Sequence, residues 1–83
     1  MHQLERVRRA LDDNRYLSQW GEDATEEHLR ELNAAAEEVH FHLGNPRCRK
    51  TMREMLEEVR RAQRRTKVRL ATLARSTPES GTQ

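Results

Sequence analysis

The sequence predicts an all-α fold: one domain, an antiparallel three-helix bundle with a long C-terminal third helix, completed by dimerisation. Three observations carry that expectation. Leu, Ala, Glu, Arg, Gln and Met dominate the chain, β-branched residues are few, and there are only three Gly and two Pro, a composition that favours helix over sheet. Apolar residues recur at three- and four-residue intervals in three separate series, the period of one helix face. Glycines stand at both junctions between those series, where helices end.

The first series is Leu4, Val7, Ala10, Leu11, Asn14 and Leu17. It predicts a helix over about 2–20, ended by Gly21 as the residue past the C-cap. Asp23 then reads as an N-cap, with Glu26 three residues on completing a capping box. The second series, Leu29, Leu32, Ala35, Ala36, Val39 and Leu43, predicts a helix over about 24–43. Gly44-Asn45-Pro46 ends it and starts the next, with Asn45 as N-cap and Pro46 at the first helical position. The third series runs Cys48, Met52, Met55, Leu56, Val59, Ala62, Thr66, Leu70, Leu73 and Ala74, a helix over about 46–75. The residues 76–83 that follow carry Pro78 and too little apolar content to order themselves, and are expected to be a disordered tail.

Length then bears on assembly. At 1.5 Å per residue the first two helices span roughly 30 Å each and the third roughly 45 Å. A hairpin at Gly44 sets Met52 beside Val39, Val59 beside Leu32 and Thr66 near Thr25. Leu70 and Leu73 then lie beyond the start of the second helix, partly within reach of Trp20 and otherwise short of an intramolecular partner. Asn14 and Gln63 interrupt seams that are already thin. A small core of this kind nets only a few kcal/mol, and association with a second copy or another protein offsets the shortfall.

Composition excludes several classes. Hydrophobic residues are 34% and charged residues 36% of the 83, with a mean hydropathy of −1.13. No apolar run approaches the ~18 residues that a membrane span needs. One cysteine, Cys48, excludes an internal disulfide framework. With no apolar stretch near Met1 to act as a secretory signal, the expected location is the cytoplasm. The net charge of +2 is the sum of two unlike halves. Residues 1–45 hold five Arg against ten Asp and Glu, a net of −5, and residues 46–83 hold eleven Arg and Lys against four acids, a net of +7.

Motifs that would carry catalysis are missing: no Gly-rich phosphate loop, no G-x-S-x-G, no H-E-x-x-H. The chain is expected to be no enzyme and to take no cofactor and no small-molecule substrate. His40, His42 and Cys48 form an H-x-H-x₅-C string. Residues two apart on a helix point roughly 160° apart, so the two histidines do not converge on a zinc ion. No metal is expected. Cys48 falls on the apolar stripe of the third helix and reads as a buried thiol, and positive charge on His40 and His42 suits the C-terminal end of the second helix.

The boldest feature is the run Arg60-Arg61-Ala62-Gln63-Arg64-Arg65-Thr66-Lys67-Val68-Arg69, six positive charges in ten residues with no acid between them. Such a helix can follow a phosphate backbone, face an acidic protein, or be neutralised by Glu22, Asp23, Glu26 and Glu27 of the second helix. Tyr16, Trp20 and Phe41 fall off the core stripes, Phe41 roughly opposite Leu32 on the helical wheel, and aromatics with Arg are the residue types that anchor interfaces. The sequence thus points to a small interaction module, in size and style akin to regulators and inhibitors of the kind phage and mobile elements encode. It would bind a protein partner through Tyr16, Trp20, Phe41, Arg60, Arg61, Arg64, Arg65, Arg69, Leu70 and Leu73. The alternative is a nucleic-acid-binding regulator that uses 60–69.

Overall fold

The three apolar series become helices in a computed structural model that describes residues 2–44 and 46–76, the side chains of His2, Gln3, Cys48 and Ser76 excepted. Helix α1 is His2–Asp13, α2 is Glu22–His42 and α3 is Arg49–Ser76. Two 3₁₀ segments, Asn14–Gln19 and Pro46–Cys48, complete the element order, and no strand occurs among the described residues.

One hydrophobic cluster draws on all three helices: Val7 and Ala10 of α1, Leu32, Ala35 and Val39 of α2, and Met52, Leu56, Val59 and Ala62 of α3. Along α2 the buried positions are 25, 28, 32, 35 and 39, the alternating three–four spacing of helices that cross at a shallow angle. Thr25 and His28 extend that row beyond its last apolar member, and Thr66 does the same on α3; all three are buried. The sequence reading stopped the α2 row at Leu29 because it followed apolar residues only.

Several ends differ from expectation. The first helix is α only to Asp13 and tightens to 3₁₀ over Asn14–Gln19, closed by the Trp20 amide donating to the Leu17 carbonyl at 3.2 Å. Asn14, Leu17 and Trp20 are each half-buried while the residues between them are exposed. That three-residue period matches 3.0 residues per 3₁₀ turn, so the tightening turns Trp20 to the same side as Asn14. Gly21 is not a left-handed terminator; it is the N-cap of α2 in extended backbone (φ −82°, ψ −167°). Asp23 lies inside the first turn with Glu22, and the N-cap has no side-chain hydrogen bond, so the expected capping box does not form. Both acids still favour the positive end of the helix dipole, while Thr25 donates to the Gly21 carbonyl through its amide (3.0 Å) and hydroxyl (2.6 Å).

At the second junction, His40 and His42 occupy the last turn of α2 as expected, and the Leu43 amide donates to the carbonyls of Val39 and His40. Gly44 has no positive φ. Pro46 opens a 3₁₀ turn rather than α3, which starts at Arg49. Ser76 still belongs to α3. The Asn45 cap, the burial of the Cys48 thiol and the tail from residue 77 lie outside the described residues.

Candidate interaction surface

Polar cross-links fix the end of the molecule where the basic run lies. Asn14 Oδ1 accepts a hydrogen bond from His28 Nε2 at 2.9 Å, and the Thr66 hydroxyl lies 3.2 Å from the same oxygen while donating to the Ala62 carbonyl at 2.7 Å. With Asn14 presenting its carbonyl oxygen, the imidazole carries its proton on Nε2. Trp20 packs edge-on against His28, ring centroids 4.7 Å apart. Burial holds the His28 pKa below its ordinary value, against an opposing pull from Asp13 and Glu31. Gln63 Nε2 donates to Asn33 Oδ1 at 2.8 Å. The two residues that looked like interruptions of the seams, Asn14 and Gln63, therefore join elements together. The signal for this was present in the sequence: Asn14, His28 and Thr66 each continue a helical stripe at the right interval.

Arg69 is the member of the basic run that turns inward. One of its terminal nitrogens donates to the carbonyls of Ser18 and Trp20, each at 3.1 Å. These oxygens end the 3₁₀ segment and have no partner within it, so the guanidinium serves as its C-terminal cap. Its Nε is buried without a hydrogen-bond partner. Arg69 was expected on the binding face; its guanidinium is instead engaged within the chain, and no periodicity argument could have found a bond between side chain and backbone across 49 residues.

The other charged residues of the run face water. Arg60, Arg61, Arg64, Arg65 and Lys67 are exposed, as is Val68 at 65%. No ion pair joins the run to Glu22, Asp23, Glu26 or Glu27: among the described residues the ion pairs within 4.0 Å include Arg6–Glu38 (3.5 Å) and Arg15–Asp12 (3.6 Å). Arg60 and Arg64, and Arg61 and Arg65, are like charges four residues apart, a spacing that costs an isolated helix about 0.2–0.5 kcal/mol per pair. Two carboxylates border the patch: Glu57 lines a shallow groove with Arg60, Arg61 and Arg64, and Glu58 lines another with Leu11, Asn14, Arg61, Ala62 and Arg65.

Among the aromatics, Phe41 is 78% exposed and Tyr16 41% exposed, the latter beneath the Arg15 guanidinium at 5.2 Å from its ring centre. Trp20, Leu70 and Leu73 are half-buried. The structure thus groups Arg60, Arg61, Arg64 and Arg65 on one helix, gives Arg69 and Trp20 internal partners, and leaves Phe41 on a separate helix.

Among the described residues no cluster of His, Cys, Asp and Glu is placed to hold a metal ion, and no helix is long and apolar enough to cross a membrane. Two cavities of about 580 Å³ each are open and charged; one runs over Glu5, Arg6, Arg9, Asp13, His28 and Glu31. No protein-family model matches the chain, and comparison with curated proteins and with solved structures returns no match either.

Proposed function

We propose that this chain is a small non-enzymatic interaction module, a regulator or inhibitor that binds an acidic protein through the outer face of α3. The observation that carries the reading is the exposure of Arg60, Arg61, Arg64 and Arg65 without a carboxylate within 4.0 Å among the described residues, although the second helix begins with acids. Like charges held together at some cost are relieved by an external anion. Exposed Tyr16 and Phe41 offer aromatic contacts of the kind that anchor interfaces. Binding would act by occluding or tethering the partner.

An antiparallel bundle is part of this proposal. The cross-links Arg6–Glu38 and Asn14–His28 run in opposite residue order along α1 and α2, whereas Asn14–Thr66 and Ser18–Arg69 run in the same order along the first segment and α3. Those orders support α2 and α3 running in opposite directions, with Met52 beside Val39 and Val59 beside Leu32. A cytoplasmic location, and an origin in a phage or mobile element, remain proposals resting on composition and size.

Nucleic acid is the second reading, favoured by the acid-free stretch from Arg60 to Arg69. The two readings separate by experiment. Changing Arg60, Arg61, Arg64 and Arg65 together to Ala should abolish capture of an acidic protein partner with helicity unchanged by circular dichroism; an unchanged set of captured proteins would refute the assignment. A generic duplex bound through about four phosphates should lose roughly 100-fold in affinity between about 50 and 200 mM salt; such behaviour, with no protein partner, selects the nucleic-acid reading.

A further inference from the structure

Glu37, Glu38 and Phe41 on α2 repeat, with the charge reversed, the spacing of Arg64, Arg65 and Val68 on α3. In both triplets two like charges stand four and three residues before an exposed apolar side chain, so charges and apolar residue share one helix face. Phe41 is 78% exposed and Val68 65% exposed. The acidic triplet borders a groove of about 390 Å³, lined by Arg6, Ala34, Glu37, Glu38, Phe41 and His42. Glu38 is only half satisfied there: Oε2 lies 3.5 Å from the Arg6 guanidinium, while Oε1 is buried without a hydrogen-bond partner. The exposed Glu37 carboxylate and the exposed Phe41 ring on the same helix face fit a guanidinium, which donates in its plane and stacks on an aromatic face.

We infer that the Glu37–Glu38–Phe41 patch is the seat for the Arg64–Arg65–Val68 patch of a second copy of this chain. The inference rests on the reading of the α3 face as a binding surface, and names a partner for it. Charge complementarity selects the occupant, since the chain itself supplies exposed arginines with no carboxylate within 4.0 Å among the described residues. In the antiparallel arrangement Glu38 lies opposite about residue 53, so Arg64 of the same chain stands some eleven residues, roughly 16 Å, further along the axis. A single side chain does not bridge that distance, whereas a second molecule does. Because every copy carries both patches, a two-fold dimer makes the contact twice.

Mass by light scattering at about 50 mM salt should be twice the 9.8 kDa of one chain and should fall towards one chain at about 500 mM. Two paired reversals, Glu37→Arg with Glu38→Arg and Arg64→Glu with Arg65→Glu, should each weaken self-association at least tenfold, and mixing the two variants should restore it. Phe41→Ala, at a site too exposed to disturb the core, should weaken it without any change of charge. A wild-type chain that stays monomeric at about 100 µM, association that none of the three variants alters, or variants that do not recover on mixing would overturn the inference. A monomer leaves the α3 face open to a foreign acidic protein, so that reading falls separately, by its own capture experiment.

Discussion

His28 shows how one side chain can tie local chemistry to the stability of the whole chain. It is 6% exposed, bonded to Asn14, covered by Trp20, and held below its ordinary pKa of 6.5 first by burial. The folded chain favours the neutral imidazole, so between the lowered folded value and 6.5 the unfolded chain binds more protons. The His28 contribution to stability is therefore complete above 6.5 and is lost as pH falls through the folded value. Urea midpoints at pH 7.5 and 5.5 should differ for the wild type, and the part of that difference due to His28 should vanish in His28→Asn. That His28 sits on a helical stripe can be read from the sequence, but its partners cannot, because spacing along one helix does not reveal what packs against it. Asn14 and Thr66 are remote from it in sequence, by 14 and 38 positions, and only the packing of three segments brings them together.

At the scale of elements, α3 serves two purposes on opposite faces. Its inner face buries Met52, Leu56, Val59, Ala62 and Thr66, and its outer face carries the arginines. Arg64→Glu separates the two. The new carboxylate sits three and four residues from Arg61 and Arg60 and three from Lys67, which replaces repulsion by pairs worth about 0.3–0.5 kcal/mol each. The thermal midpoint should rise by about 4–8 °C while binding to an acidic partner falls at least tenfold. A variant that lost stability and binding together would instead tie the patch to folding. The helices themselves were legible in the sequence, since the three-and-four spacing of Val7, Ala10, Leu32, Ala35, Val39, Met52, Leu56 and Val59 identified their inner faces. Their ends were not. Gly21 and Asp23 suit the roles first assigned to them, but the 3₁₀ turn that swings Trp20 towards His28 moves the start of α2 to Glu22. The ionic match of acidic and basic segments failed for another reason: sharing one end of the bundle does not place side chains on facing surfaces.

The described residues form a thin rod of 55 × 16 × 16 Å with a radius of gyration of 14.9 Å, against about 12 Å for a compact domain of this length. A rod this thin has one line of core, and among the described residues three of the nine buried hydrophobics are alanines. Leu32, fully buried at its centre, should cost about 2–5 kcal/mol when changed to Ala. That is a large share of the total for a chain of 83 residues, at roughly 0.05–0.15 kcal/mol per residue. Chemical denaturation followed by circular dichroism should show the variant close to unfolded at room temperature, whereas Phe41→Ala should stay within about 0.5 kcal/mol of wild type.

The slender shape also governs how the protein moves through solvent. Friction on a body more than three times longer than it is wide exceeds that on a sphere of equal mass, so a single chain will sediment slowly and elute early from a sizing column, imitating a larger globule. Its tumbling will be anisotropic as well: amide N–H bonds that lie along the long axis will reorient more slowly than amide N–H bonds that point across it. Nuclear relaxation can thus distinguish one rod from two lying side by side, for pairing would thicken the body and draw those two classes of amide together.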